Sequence, residues 1–297
     1  MSSKKNKLIV IEGPTGVGKT AYAIDVAKAL NTEIISADSR QFYKELNIGV
    51  ARPSAEELAE VKHHFIAHIG ITDYYSISKF ENDVLALLEN LFQTHESVVM
   101  AGGSGLYVNA VCQGIDELPD PDEQLREDIE KLYETQGIEA LRAQLKILDP
   151  VFYNQIDLAN HKRLKRAVEV CLQTGKPYSE LRTNTKKERP FTIERIAINR
   201  GDVGARHASP LLYNRINLRV DAMIENGLID EAKSLYPFKH LNALNTVGYK
   251  ELFAHFDGKM PLEKAIDDIK IHSRRYAKRQ LTWLRAQDDI KNWKLLN

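Results

Sequence analysis

The sequence predicts an α/β fold in which a parallel β-sheet carries helices on both faces and an all-helical domain is inserted into the chain. Three observations support this prediction. Short apolar runs alternate with helical patterns from residue 8 to about residue 112. These runs end in glycine-rich or polar loops. Strand-like runs then stop until residues 191–198, and the segment between them has helical periodicity.

The first element is an apolar strand at residues 8–12 that leads into the segment Gly13-Pro14-Thr15-Gly16-Val17-Gly18-Lys19-Thr20. Its spacing, G-x-x-x-x-G-K-[ST], is that of a P-loop, in which inward backbone N–H groups bind phosphate, Lys19 reaches an oxygen and Thr20 binds Mg²⁺. Residues 21–30 continue with helical periodicity, so the anion lies at a helix N-terminus. The core is therefore predicted to be P-loop NTPase-like, which leaves kinase, hydrolase and transferase activities open.

Two further buried strands are predicted at residues 34–38 and 97–101. The first ends at Asp38, which we expect beside the P-loop because ligands gather at the carboxyl ends of parallel strands. A carboxylate there can be a general base, an outer ligand of Mg²⁺ or only the N-cap of a following helix. The second strand is followed by Gly102-Gly103-Ser104-Gly105, which either admits a ligand close to the backbone or makes a tight turn.

The insertion is predicted to span residues 116–190, and the α/β core to comprise residues 1–115 and 191–297. Leu118-Pro119-Asp120-Pro121-Asp122 ends the alternating pattern. Helix stops are predicted within the insertion at Gln136-Gly137, Asp149-Pro150 and Thr174-Gly175-Lys176-Pro177. After a return strand at 191–198, core helices are predicted at about 209–226, 228–236 and 261–286.

The composition of the chain restricts its possible partners and its cellular compartment. The 41 basic and 41 acidic residues give a formal net charge of zero, so nucleic-acid binding would depend on local patches. Cys112 and Cys171 are the only cysteines, too few for a disulfide framework or a zinc site, which favours a reducing compartment. No signal-peptide core or membrane-spanning apolar run is present, and we expect a cytoplasmic protein that does not bind membranes.

Two basic clusters are candidates for a polyanion site. The cluster in the insertion comprises Lys162, Arg163, Lys165 and Arg166, and the C-terminal cluster comprises Lys270, Arg274, Arg275, Lys278 and Arg279. The first lies in the opening turns of a helix, where the helix dipole disfavours cations, so a bound polyanion would explain it better than a solvated face. His63, His64 and His68 lack metal-binding spacing, and hydrogen bonding or packing is the favoured interpretation.

Six segments taken together resemble the tRNA dimethylallyltransferase (tRNA isopentenyltransferase) family in its bacterial form, over residues 8 to about 286. They are Gly13–Thr20, Ile35–Tyr43, Ile48-Gly49, Ala101–Tyr107, Val247–Glu251 and Ser273–Arg285. The P-loop is generic. The Asp38-Ser39-x-Gln41 segment and the Lys278-Arg279-Gln280-x-Thr282-Trp283 segment are specific to the family.

The resemblance implies transfer of a dimethylallyl group from dimethylallyl diphosphate to N6 of adenine 37, in tRNAs that read codons beginning with U. N6-isopentenyladenosine and diphosphate are the products, and Mg²⁺ is the cofactor. The implied partners are the tRNA anticodon stem-loop and the diphosphate donor, and we expect a monomer.

The resemblance also assigns site residues. Asp38 matches the general base of the family. The diphosphate site matches Gly13, Thr15, Gly16, Val17, Gly18, Lys19, Thr20 and Arg219, with Thr20 on Mg²⁺. The expected tRNA contacts are Ser39, Arg40, Gln41, Ser104, Arg126, Lys162, Arg163, Lys165, Arg166 and Lys278.

Three departures from the family pattern leave open a specialised substrate range. Val50 stands where the family usually has Thr, Ala67 where it has Asp, and Ala208-Ser209 where it has Asp-Arg.

Three alternatives to the implied activity also stay open. They are prenyl transfer to free AMP, ADP or ATP, a P-loop nucleoside or nucleotide kinase, and a non-enzymatic RNA-binding P-loop protein. The basic insertion argues against the first two. Asp38, Lys19 and Thr20 argue against the third.

Overall fold

The computed structural model describes residues 5–183, 185–200, 209–290 and 292–296. The chain divides into two compact units: unit 1 comprises Met1–Cys112 and Arg189–Asn297, and unit 2 comprises Gln113–Glu188. Within the described ranges, no helix combines the length and the apolar character needed to cross a bilayer. Both cysteines are buried free thiols.

Unit 1 is built on a six-stranded, wholly parallel sheet with strand order β3-β2-β4-β1-β5-β6. The strands are β1 (Lys7–Glu12), β2 (Ile34–Ser36), β3 (His63–His64), β4 (Ser97–Gly102), β5 (Thr192–Asn199) and β6 (Asn292–Leu295). The four predicted strands are confirmed to within two residues. The edge strands β3 and β6 were not predicted. β3 has only two residues and β6 is largely polar, so neither shows an apolar pattern that indicates a strand.

Helices cover both faces of this sheet, as the sequence predicts. Alternate residues of β1 enter two separate apolar clusters, Leu8 and Val10 in one and Ile9 and Ile11 in the other. Such burial of both faces requires a helical layer on each side. The first four helices are α1 (Lys19–Leu30), α2 (Ala55–Glu60), α3 (Ile77–Leu91) and α4 (Gly105–Gln113). α3 and α4 pack in the first cluster and α1 in the second.

Unit 2 is entirely helical within its described residues. Its helices are α5 (Glu123–Leu148), α6 (Pro150–Tyr153), α7 (His161–Thr174) and α8 (Tyr178–Leu181). The predicted stops are confirmed: Gly137 interrupts α5 with φ 74° and ψ −169°, Asp149 separates α5 from α6, and Gly175 ends α7 in a left-handed conformation. Leu141, Leu145 and Leu164 form the centre of its own apolar cluster.

The C-terminal part of unit 1 contributes four more helices. They are α9 (Pro210–Glu225), α10 (Leu228–Leu235), α11 (Tyr249–Phe256) and α12 (Leu262–Arg285). The predicted helices at 209–226, 228–236 and 261–286 correspond to α9, α10 and α12, whereas α11 was not predicted. α9 and α12 pack on the cluster that contains α1, whereas α10 and α11 form a separate apolar cluster around the fully buried Tyr249.

Replacement of Asp149 by Ala is expected to lower the free energy of unfolding by about 3 kcal/mol, because Asp149 is a buried carboxylate with three donors. It accepts hydrogen bonds from Phe152 N (2.9 Å), Ser179 N (2.7 Å) and Ser179 Oγ (2.9 Å). Urea unfolding followed by circular dichroism measures the loss. Asp128→Ala on the exposed face of α5 is the matched control, and equal unfolding curves for both variants would contradict the prediction.

Candidate active site

The P-loop, residues 13–20, connects β1 to α1, and its backbone N–H groups lie at the start of α1. Gly16 and Gly18 have φ of 81° and 101°, a region that favours glycine. Gly18 is the N-cap of α1 and has no side chain to cap it. Within the described part of the chain, the N–H groups of Gly16, Gly18, Lys19 and Thr20 have no acceptor. These donors at a helix N-terminus form an anion site.

The Lys19 ammonium group donates to Pro14 O, within the same loop, at 3.0 Å. Burial lowers the pKa of Lys19 to about 8, the nearby carboxylate of Asp38 opposes that shift, and Arg219 adds to it. A bound anion would restore the charged form by adding negative charge next to the ammonium.

Three arginines donate to consecutive residues of the P-loop. Arg219 donates to Thr15 Oγ1 (2.6 Å), Arg215 to Gly16 O (3.2 Å) and Arg200 to Val17 O (2.9 Å). Only Arg219 was predicted for this site. Arg215 and Arg219 lie one turn apart on α9, and this spacing is the sequence signal that would have identified Arg215. Arg200 lies just after β5 and carried no such signal.

Gln280 joins the P-loop to the glycine loop 102–105 that follows β4. Its Oε1 accepts from Thr15 N at 2.8 Å, and its Nε2 donates to Gly103 O at 2.9 Å. A Cβ on Gly103 would lie 2.5 Å from this Nε2, so a larger residue there would displace the Gln280 amide. The Thr15 N–H is therefore engaged by Gln280 and is not one of the free donors of the loop.

The end of β1 is fixed by a buried ion pair. Arg195 of β5 donates through Nε to Glu12 Oε2 at 2.8 Å, and its Nη1 donates to both oxygens of Asp289 at 2.9 Å. Burial raises the pKa of Glu12, although Arg195 opposes the shift. This pair anchors the strand end from which the P-loop begins.

Asp38 lies in a turn that follows β2. Arg40 N donates to Asp38 Oδ1 at 3.1 Å, and Gln41 N donates to Asp38 O at 3.0 Å. The interpretation of Asp38 as a helix N-cap is wrong, because the next helix, α2, begins at Ala55 and is capped by Ser54.

Asp38 lines three cavities, of which one is small, at about 50 Å³. The P-loop cavity, of about 620 Å³, is lined by Gly16, Lys19, Thr20, Asp38, Arg215 and Arg219, among others. A second large cavity, of about 360 Å³, is lined by Asp38, Arg40, Val50, Thr246, Ser273 and Tyr276, among others. Asp38 can therefore contact a molecule in either of these two large cavities.

The donor set beside the P-loop fits a hard divalent cation. The hydroxyl of Thr20 and the carboxylate of Asp38 both line the P-loop cavity. In the described ranges, no group of three or more His, Cys, Asp or Glu residues forms a metal cluster. Mg²⁺ needs no such cluster, because it binds one or two protein oxygens and completes its shell with phosphate oxygens and water.

The predicted contacts around Asp38 are held in place by the protein itself. Ser104 Oγ accepts from Ser39 N at 3.0 Å, which links the turn to the glycine loop. Arg40 donates to Asn242 O (2.8 Å) and Ala243 O (3.0 Å). Gln41 Nε2 donates to Val50 O (3.3 Å) and Ala51 O (2.9 Å).

Several predicted cations of unit 2 have acidic partners within that unit. Glu169 contacts Arg126 at 2.8 Å and Arg166 at 3.0 Å. Lys165 contacts Glu130 at 2.6 Å. Lys162 and Arg163 are exposed. These carboxylates explain the positions of Lys165 and Arg166 without a bound polyanion. Only Lys162 and Arg163 are unpaired by them, so only these two cations still indicate a polyanion at the start of the helix.

In the C-terminal basic cluster too, some cations have partners in the protein and others are exposed. Lys270 contacts Asp221 at 2.5 Å, and Arg274 donates to Asn217 Oδ1 at 2.6 Å, so these two cations hold α12 against α9. Three other cations of the cluster are exposed on α12, namely Arg275, Lys278 and Arg279. These three line an open groove with Trp283.

The histidines are hydrogen-bonded or packed against other side chains, as the sequence predicts. His63 is hydrogen-bonded to Val61 O at 2.8 Å, and His64 to Glu33 at 2.5 Å. His68 packs edge-on against Phe42, with ring centroids 5.4 Å apart.

The departures from the family pattern have structural roles where they are described. Val50 packs against the apolar cluster of Tyr249, and Ala67 N donates to Gln41 O at 2.9 Å. Ser209 caps α9 by accepting from Leu212 N at 3.2 Å. Ala208 lies outside the described residues.

Comparison with known proteins identifies one family. A family model described as IPP transferase matches residues 41–287. The chain is 51% identical over 286 residues to tRNA dimethylallyltransferase 2 of Azobacteroides pseudotrichonymphae, with 96% of this chain and 91% of that protein covered. It is also 51% identical to tRNA dimethylallyltransferase of Christiangramia forsetii, with 96% and 92% covered.

Solved structures give the same result. The full-length tRNA isopentenylpyrophosphate transferase of Bacillus halodurans superimposes with a TM-score of 0.68 at 37% identity, covering 98% of this chain and 90% of that one. A eukaryotic dimethylallyltransferase acting on tRNA gives a TM-score of 0.72 at 25% identity, with 94% and 70% covered.

Binding of inorganic diphosphate is expected to weaken as the pH rises through 8. Burial lowers the pKa of Lys19 to about 8, and the anion binds the charged form of this side chain. The contribution of Lys19 to diphosphate binding is therefore fully present well below pH 8 and is lost above it. The Kd for diphosphate should rise about tenfold between pH 7 and pH 9 for this reason. Isothermal titration calorimetry of wild type and Lys19→Met measures this, and the ratio of their Kd values cancels the titration of diphosphate itself. A ratio that is constant across this range would contradict the prediction.

Proposed function

The chain belongs to the IPP transferase family of prenyl-transferring enzymes, and from this premise we propose that it transfers the dimethylallyl group of dimethylallyl diphosphate to N6 of adenine 37 in tRNA. The tRNAs would be those that read codons beginning with U. One observation carries the proposal: Asp38 borders both the P-loop cavity and the second large cavity, which we name the acceptor cavity because we assign the target nucleobase to it. A base in that position can serve a reaction between a diphosphate on one side and a nucleobase on the other.

The P-loop cavity suits the leaving group of the donor. When the bond between the allylic carbon and oxygen breaks, the electron pair stays on diphosphate. The free N–H groups of Gly16, Gly18, Lys19 and Thr20 can donate to these oxygens, and the side chains of Lys19 and Arg219 supply positive charge. Fixed donors and cations of this kind stabilise charge as it develops.

The acceptor side requires a base. The exocyclic amine of adenine is a poor nucleophile, because its lone pair is delocalised into the ring. As the new N6–carbon bond forms, the amine must lose a proton, and the Asp38 carboxylate is the acceptor that we assign. The adenine must also leave its stack to reach this carboxylate, which the acceptor cavity beside Asp38 permits.

Prenyl transfer from diphosphate donors usually involves a divalent metal, and we assign Mg²⁺ to the oxygens beside the P-loop. Thr20 would hold the ion. When bound, the ion neutralises charge on the leaving diphosphate.

Binding of the anticodon stem-loop is assigned to exposed cations and to the turn after β2. Lys162 and Arg163 in unit 2 and Lys278 in unit 1 are exposed and can contact RNA phosphates. Ser39, Arg40, Gln41 and Ser104 surround Asp38, and Arg126, Lys165 and Arg166 complete the proposed tRNA contacts.

The decisive experiment is a prenylation assay with purified protein, dimethylallyl diphosphate and Mg²⁺. We expect product with an anticodon stem-loop that carries adenine at position 37, and none with a matched stem-loop that carries guanine there, because guanine lacks the 6-amine. Product from free AMP alone would support the nucleotide-prenylating alternative. Phosphoryl transfer from ATP without any prenylation would support the kinase alternative, for which Arg200, Arg215 and Arg219 could serve as anion-binding groups.

Asp38→Ala is expected to lower kcat by about a thousandfold, because the proton of the amine loses its acceptor. The Kd for the stem-loop should stay within about twofold, since the other contacts remain. Single-turnover kinetics and fluorescence binding measure the two quantities. Asp25→Ala, an exposed acidic position on α1, is the control and should behave as wild type. Unchanged turnover in Asp38→Ala would remove Asp38 from the role of base.

A further inference from the structure

We infer that Glu231 of α10 is a positioning residue for the active site, which acts through the loop formed by residues 47–52 without contacting substrate. The inference rests on the proposed function, because it concerns how Gln41 and the walls around Asp38 are held. Glu231 is not among the residues that line the P-loop cavity or the acceptor cavity.

Three hydrogen bonds connect Glu231 to this loop and its support. Its Oε2 accepts from Ile48 N at 2.8 Å, and its Oε1 accepts from Gly49 N at 2.9 Å. The same Oε1 accepts from the Tyr249 hydroxyl at 2.6 Å. A single carboxylate therefore fixes two consecutive backbone N–H groups of the loop, and both oxygens are needed for this geometry.

The ring of Tyr249 also supports the loop. Tyr249 is fully buried, and a Cβ on Gly49 would lie 2.6 Å from its Cζ atom. Ile48 and Val50 pack against the apolar cluster that contains Tyr249 and Leu252. The backbone of the loop thus lies directly on this cluster, and Glu231 determines where along it the N–H groups are placed.

The far end of the loop reaches the active site. The carbonyls of Val50 and Ala51 accept from Gln41 Nε2, at 3.3 and 2.9 Å. Ala51 has φ of 49°, a conformation that alanine adopts only when its surroundings impose it. Gln41 in turn closes the turn at Asp38 by donating its N–H to Asp38 O at 3.0 Å.

The loop also forms part of the cavity walls. Gly49, Val50 and Ala51 line the acceptor cavity, and Val50, Ala51 and Arg52 line the P-loop cavity. Release of the loop would free the Gln41 amide and change the wall that faces the nucleotide. The loop forms only one wall of the P-loop cavity, whose N–H donors and Lys19 contact neither Glu231 nor Tyr249. Loss of Glu231 should therefore impair reaction of the RNA far more than binding of diphosphate.

Glu231→Gln is the test, because it keeps the shape of the side chain but turns one carboxylate oxygen into an NH₂ group that cannot accept from a backbone N–H. We expect kcat/KM for the stem-loop to fall at least tenfold, while the Kd for inorganic diphosphate stays within twofold. Asp230→Asn, the exposed acidic neighbour on α10, is the matched control and should keep wild-type kinetics. Unchanged kcat/KM in a folded Glu231→Gln protein would overturn the inference.

A double-mutant cycle separates positioning from general destabilisation. If Glu231 acts through Gln41, adding Glu231→Gln to Gln41→Ala should cost less than threefold further in kcat/KM. Full multiplication of the two losses would mean that Glu231 does not act through Gln41 and would overturn the inference.

Hydrogen exchange gives a readout that does not depend on activity. Protection of the Ile48 and Gly49 amides should fall at least tenfold in Glu231→Gln and stay unchanged in Asp230→Asn. If wild type fails to prenylate the stem-loop, the proposed function fails, and these two amides still report whether Glu231 holds the loop. Full protection in the variant would overturn the inference even where the enzyme is active.

Discussion

The side-chain amide of Gln280 is the interaction on which the arrangement of the active site depends. β1 and β4 are neighbouring strands, and the loops that follow them would each have unsatisfied backbone groups where they approach one another. One amide supplies both an acceptor for Thr15 N and a donor for Gly103 O, which an ionic or apolar side chain of the same size cannot do. Because Gln280 lies on α12, the position of this C-terminal helix determines the spacing of two loops encoded near the N-terminus.

Electrostatics around this framework point to an anionic ligand. Among the described residues, four N–H groups of the P-loop have no acceptor, three arginines donate to the loop, and Lys19 lies within it. Such an assembly of donors and cations is unfavourable without negative charge, and burial already lowers the pKa values of Lys19 and Arg219. Asp38 supplies one compensating charge. A diphosphate in the same cavity would supply the rest, and its departure as a leaving group is the step that these residues can assist.

The local pattern of the chain was enough to predict much of this. The strands at β1, β2, β4 and β5 and the helix stops in unit 2 follow from apolar runs and from glycine and proline positions. The P-loop follows from a fixed spacing of contiguous residues. The sequence analysis missed Arg200, the supporting contacts of Gln280 and the hydrogen bonds from Ile48 and Gly49 to Glu231. Each of these contacts joins residues far apart in sequence, and no periodicity or spacing encodes such a pair. The edge strands and the short helix α11 were missed because their sequences show no clear apolar periodicity.

The sequence alone therefore determined the fold class, the phosphate-binding loop, the family resemblance and the placement of Asp38 at a strand end. These features depend on residues that are contiguous or periodic, so that their physical consequences are local. Only the tertiary structure decided that Asp38 lies in a turn between two cavities, and that Lys165, Arg166, Lys270 and Arg274 are engaged by neighbouring side chains. Ion pairs and cavities depend on distances between separate elements, and those distances are set by how the helices pack on the sheet and on one another.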